Sequence, residues 1–222
     1  MNIDLIILAA GDLGREIYYT TQMINEMFEG NTYNTIAFVD STPEKIGKDI
    51  DGIPIISVEK ISEFRTAHTK FICAVGTPSI RIRILNELNS KIESPSFATI
   101  IHPSVVQFPN IEVSEGVFIG ANTTIATGCN IKQHVVINQN VSIGHDCELN
   151  DYAVISPGCI LSGRSKIGFA SFLGSNVVTY PRVTIGEKCI ISAMTVVSRP
   201  VKRLKKVISK PNLMVFDIDN SN

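Results

Sequence analysis

The chain has almost no surplus charge, no CxxC pair and no long uninterrupted apolar run, and each absence removes a class of function. Across 222 residues, 20 basic side chains stand against 21 acidic ones. A net charge of -1 creates no global field to gather nucleic acid or insert the chain in an anionic membrane. The opening "MNIDLIILAAGDLGRE" has no basic leader, and Gly11 and Asp12 interrupt its apolar run before it could serve as a signal peptide or membrane span. A cytoplasmic protein working on small molecules is the expectation. The five cysteines make neither a metal-binding nor a redox motif.

What the sequence does have is a period. From Val113 to Val197, every sixth residue is aliphatic at fourteen of fifteen positions, Thr179 being the exception. Neither a helical period of 3.6 nor a strand alternation of two selects such a series, whereas a hexapeptide repeat does so by construction. Each short strand then points one aliphatic side chain inward, and three strands close one coil of a triangular prism. A second six-residue register, Val117 to Thr195, carries smaller residues suited to the corners. Cys129, Cys147, Cys159 and Cys189 fall in it, which assigns them to packing.

The first 98 residues have another texture. "IDLIILAAG" reads as a buried parallel strand, "GREIYYTTQMINEMF" as a helix, and "TIAFVD" as a second strand ending in Asp40. "KFICAVG" and "SIRIRILNELNS" repeat the strand and helix order. The expected architecture is a small α/β domain with a parallel sheet over 1–98, an all-β prism of parallel coils over 99–200, and a tail over 201–222. Ligands of such a sheet bind at the carboxyl ends of its strands. The turns "AAGDLG", "VDST" and "VGTPS" lie there, and Asp40 stands where a ribose-binding acid belongs. Glycines that merely permit tight turns remain an alternative.

Chemistry concentrates in "NVSIGHDCELN". His145 falls between the inward Ile143 and the corner residue Cys147, so it projects outward from a rigid coil, followed at once by Asp146. A carboxylate that fixes the imidazole tautomer makes a general base near neutral pH. One coil later stands Gly163, where the lack of a side chain allows close approach of a thioester and a backbone N–H can meet a developing oxyanion. The spacing suits acyl transfer. His102 and His134 read as surface or interface residues, and no three-histidine zinc set is present.

With the nucleotide-type sheet ahead of "VINQNVSIGHDCELNDYAVISPG", the chain resembles the two-domain sugar acyltransferases of bacterial surface glycan synthesis. That family includes sialic acid O-acetyltransferases and N-acetyltransferases of nucleotide-linked 4-amino sugars. The resemblance implies a Rossmann-like N-terminal domain, a left-handed parallel β-helix, a homotrimer, acetyl-CoA between neighbouring prisms and a nucleotide-linked sugar held by the N-terminal domain, with no metal. It makes His145 the general base, Asp146 its orienting acid, Asn138 part of the acceptor site and Gly163 the contact to the acetyl carbonyl, with Ala193 near the coenzyme. Gly11, Gly14, Asp40, Gly76 and Arg81 match the nucleotide-sugar pocket.

The chain also departs from that pattern. The histidine of the first family turn is Leu13, the second family histidine is Val154, and the terminal loop reads "ISKPNLM". These changes leave open a non-catalytic sugar-nucleotide binding or assembly protein. The basic run "RPVKRLKK" suits either a coenzyme phosphate or a solvated face.

Overall fold

The structure is a computed structural model that describes residues 3–28 and 32–209. Strand β1 (Ile3–Leu8) leads through the turn at Gly11 into helix α1 (Asp12–Met27), then β2 (Tyr33–Val39). Strands β3 (Asp49–Ile50) and β4 (Ile53–Ile56), the one-turn helix α2 (Ile61–Phe64), β5 (Thr69–Cys73) and helix α3 (Pro78–Lys91) complete the N-terminal half. The sheet order is β3-β4-β2-β1-β5. Four strands are parallel, and β3 is antiparallel to β4.

That hairpin is an addition to the sequence reading. It turns through Asp51 and Gly52, both in the left-handed region at φ 51 and 81. An Asp-Gly pair with both residues left-handed is the two-residue turn whose twist suits paired strands. Helix α1 covers one face of the sheet through Ile17, Tyr18 and Ile24, whereas α3 covers the other through Leu85 and Leu88.

From Ile100 onward the chain winds into the expected prism. Each strand is two residues long and, up to the last coil, pairs in parallel with the strand 18 residues later, as Thr124 does with Ser142 and Ser142 with Ile160. Three stacks of such strands form the faces of a left-handed β-helix. Both six-residue registers point inward, giving a core that runs from Val117 to Val197 and includes four cysteines. All five cysteines are free and buried. A third register shapes the corners: fourteen successive corner residues from Gly116 to Met194 take positive φ, and eleven of them are not glycine. Each such residue costs about 1 kcal/mol of backbone strain, which the buried aliphatic of its coil offsets at roughly 1.5–3 kcal/mol.

The outward residues distinguish the three faces. On the first, Phe118, Val136 and Val154 are buried in a core shared with Leu5, Ile7, Ile17 and Tyr18 of the N-terminal half. On the second, Ile160 and Val196 are left 47% and 58% exposed. The third is polar, with Lys166 paired to Glu148 at 3.3 Å. The last coil takes in residues 201–207, because Val201 bridges Ile185 and Lys206–Val207 pairs with Ile190–Ile191. Of the expected tail, residues 210–222, which include most of "ISKPNLM", lie outside the described residues. Among the described residues no helix is long and apolar enough to cross a membrane.

Candidate functional site

The corner between the second and third faces carries His145. Ile143 anchors the strand before it and Cys147 packs inward after it, so the intervening His145 and Asp146 are turned outward, 52% and 48% exposed in their side chains. Asp146 takes φ 57, a conformation that Asp tolerates better than most residues, and its Oδ2 lies 2.8 Å from His145 Nδ1. The carboxylate also faces the Arg164 guanidinium at 3.5 Å. The hydrogen bond to His145, with the charge of Arg164 beyond it, holds the Asp146 carboxyl below its ordinary range. Asp146 is thus ionised at neutral pH and favours the proton on Nδ1, leaving Nε2 with its lone pair.

Two glycines make room for this pair. A Cβ on Gly163, one coil after His145, would sit 2.5 Å from His145 Nε2 and 2.8 Å from Cδ2. A Cβ on Gly128, one coil before Asp146, would meet Asp146 Oδ1 at 2.5 Å. The imidazole therefore lies over Gly163 with Nε2 toward it. The Gly163 N–H bonds to none of the described residues, although its carbonyl accepts from Arg182 N–H at 2.9 Å. Gly163, whose N–H has no partner among the described residues, thus lies directly below a proton acceptor, His145 Nε2.

Asn138 and Ala193 are elsewhere in the chain. Asn138 sits on the corner between the first and second faces, where its Nδ2 donates to Ile155 O at 3.0 Å. Ala193 is exposed beside that corner three coils further on, following the stack Val136, Val154, Phe172 and Ile190. The exposed apolar second face separates both from His145.

A cavity of about 600 Å3 opens at the carboxyl ends of the sheet strands, lined by Ala9, Asp40, Ser41, Glu59, Val75 and Arg83 among others. Asp40 Oδ2 accepts from Ala10 N–H at 2.9 Å and from Lys45 Nζ at 3.1 Å, while Oδ1 accepts from Thr42 N–H at 2.9 Å. Burial raises the Asp40 pKa, but these bonds outweigh it and bring the carboxyl to about 2.

The remaining matched residues divide. Gly11 caps α1 with open space around it, and Gly76 follows β5 in equally open surroundings. Gly14 serves packing, since a Cβ there would strike the Ala9 carbonyl. Ala9 itself holds φ 94, a conformation for which glycine is suited. Arg81 does not line the cavity: it is completely buried beneath α3, and the cavity's cation is Arg83. Arg83, Lys45 and Arg164 are the site residues that sequence reasoning missed. Only Arg164 had a signal, its place 18 residues after Asp146.

His134 is buried between the edge of Phe97 and the stacked ring of Tyr152, with ring centroids at 4.6 and 5.2 Å. Burial first, then the Arg81 charge, lowers its pKa to about 4. His102 is partly exposed and its Nδ1 lies 2.8 Å from Ser104 Oγ. No group of three or more His, Cys, Asp or Glu side chains suited to a metal occurs among the described residues.

Residues 99–214 match the GMPPB C-terminal domain family, and residues 4–88 match the PglD N-terminal domain. Among solved structures, the acetyltransferase domain of PglB from Neisseria gonorrhoeae, in complex with acetyl coenzyme A, superposes with a TM-score of 0.82 at 24% identity, covering 93% of this chain and 96% of that one. A perosamine N-acetyltransferase from Caulobacter crescentus, in complex with CoA and GDP-perosamine, gives a TM-score of 0.78 at 22% identity over 91% and 92%. WeeI from Acinetobacter baumannii gives 0.82 at 20% identity over 95% and 98%. The chain belongs to the GMPPB C-terminal domain family, in the two-domain form that sets a PglD N-terminal domain ahead of a left-handed, hexapeptide-repeat β-helix.

Proposed function

We propose that the protein transfers an acetyl group from acetyl-CoA to an amine or hydroxyl of a nucleotide-linked sugar, with His145 as general base, in the surface glycan synthesis of a bacterial cytoplasm. The observation that carries this reading is the His145 ring, tied by Asp146 and lying over a glycine whose N–H is unused. The acetyl coenzyme A and CoA complexes of proteins with the same architecture support the donor, and the GDP-perosamine complex supports a sugar nucleotide. Five unpaired cysteines accord with a reducing compartment.

The residues divide the work as follows. Acetyl-CoA, when bound, supplies the activated acyl group. Glycine at 163 lets the His145 imidazole lie against the coil, and the Gly163 N–H donates to the thioester oxygen as negative charge gathers there. His145 Nε2 takes the proton from the attacking amine or hydroxyl and returns it to the leaving sulfur. Asp146, itself steadied by Arg164, stabilises the imidazolium in between. The cavity at Asp40 and Arg83 holds the nucleotide portion. The exposed second face, with Ile160 and Val196, fits contact between copies in a homotrimer and lies beside the His145 corner.

Incubation with acetyl-CoA and a panel of UDP-, dTDP-, GDP- and CMP-linked sugars, followed by thiol release and product mass, tests this reading. One sugar should gain the mass of one acetyl group, and His145→Ala should reduce turnover on the order of a hundred- to ten-thousand-fold without unfolding the prism. Most of the activity surviving in His145→Ala would sink the mechanism. The rival reading, a binding protein without turnover, draws on Leu13 and Val154, both taken up by the core that joins the two halves. Calorimetry with millimolar acetyl-CoA distinguishes them, since the binding protein gives no heat.

A further inference from the structure

Arg81 is completely buried, and among the described residues no carboxylate pairs with it. Its guanidinium is held by main-chain carbonyls: Nη1 donates to Cys73 O at 2.7 Å and to Val75 O at 2.9 Å, and Nη2 donates to His134 O at 2.9 Å. The first two carbonyls belong to the end of β5 and the turn after it, where Val75 forms part of the cavity wall. The third belongs to a prism corner at φ 56, in the same turn of the prism as His145. One side chain thus ties the rim of the nucleotide cavity to the coil that bears the acyl-transfer corner.

A buried cation bound only by neutral acceptors is an expensive way to hold two elements together. Apolar side chains of similar volume generally do so at no less stability. What arginine adds is a planar fork whose donors fix direction as well as distance. We propose that Arg81 is a positioning residue that fixes the nucleotide cavity relative to the prism, so that a sugar held in the cavity meets an acyl-transfer corner, its own or a neighbour's, in one orientation. This rests on the acetyl-transfer reading above. Arg81 touches neither substrate, and its effect passes through the carbonyls of Val75 and His134.

The test compares Arg81→Met and Arg81→Lys with the wild type, measuring calorimetric Kd for the nucleotide sugar and for acetyl-CoA, kcat, and thermal unfolding. Both ligands should bind within about threefold of wild type, because each half of the site is intact, while kcat of Arg81→Met falls on the order of a hundredfold from misplacement alone. Arg81→Lys keeps the charge but lacks the fork, and should recover part of that loss. An unchanged kcat in folded protein, or Kd values that deteriorate in step with kcat, would overturn the proposal. Should Arg81→Met not fold, the Kd and kcat of Arg81→Lys decide alone. If the wild type acetylates no nucleotide sugar, the functional reading has failed, and amide exchange judges the clamp separately. Arg81→Lys should then exchange faster at residues 74–77 and 133–136, and unchanged exchange there would refute it.

Discussion

At the scale of single residues, the proposed acyl-transfer corner depends on two side chains being absent as much as on two being present. Gly163→Ala should push the imidazole off its coil and lower kcat at least tenfold while leaving unfolding cooperative, since a displaced general base forfeits most of its contribution. Unaltered kcat in a folded Gly163→Ala protein would mean that His145 does not work from the position seen here. The proximity of His145, Asp146 and Gly163 was legible in the sequence because a period of 18 converts spacing directly into adjacency. Arg81 and Arg83 were not. The buried stripe of α3 runs Arg81, Leu85, Leu88, but "SIRIRIL" alternates like a strand and hides that helical phase. Lys45 reaches Asp40 and the Ala10 carbonyl from an irregular loop, where no period assigns a direction.

At the scale of elements, the prism was readable because its inward aliphatics recur at every sixth position, and the β1, α1, β2, β5 and α3 segments because their apolar runs are long enough to classify. The β3–β4 hairpin was missed, although "DIDGIPIIS" contains the Asp-Gly turn, because strands of two and four residues have too few positions to alternate. The outward series Phe118, Val136, Val154 also announces a covered face, but only when read at 18 rather than six. Phe118→Ala should cost about 3–5 kcal/mol in urea unfolding. Restoring the family histidine with Val154→His should destabilise by about 1–3 kcal/mol, since the imidazole would enter an apolar core without a partner, and should not raise activity. A gain in activity from Val154→His would refute the assignment of that position to packing.

At the scale of the whole molecule, the joint between the halves gives the protein its response to acid. The His134 pKa of about 4 lies below its ordinary 6.5, so the unfolded chain takes up the proton first. Stability is then fully present above pH 6.5 and falls as the pH drops toward 4, by about 3 kcal/mol at most. Asp40, at about 2 against 3.8, adds a second loss below pH 4 as its carboxyl becomes protonated. Urea midpoints measured from pH 7 to 4 should decline in the wild type and flatten in His134→Asn, a residue that also accepts the positive φ of that corner. Equal slopes in the two proteins would show that His134 is not the group responsible.

The two nested periods set different tolerances for the length of the chain. Six residues inserted at a corner would leave every aliphatic pointing inward, so the prism would still close, yet each later strand would be carried round to the next face. Gly163 would leave the axis below His145, and Phe172 and Ile190 would move away from the N-terminal half. Eighteen inserted residues would restore every neighbour beyond the added coil. Ahead of the shorter last coil, folding therefore reads the sequence modulo six, while the site and the domain joint read it modulo eighteen, and natural length changes there should come in whole coils.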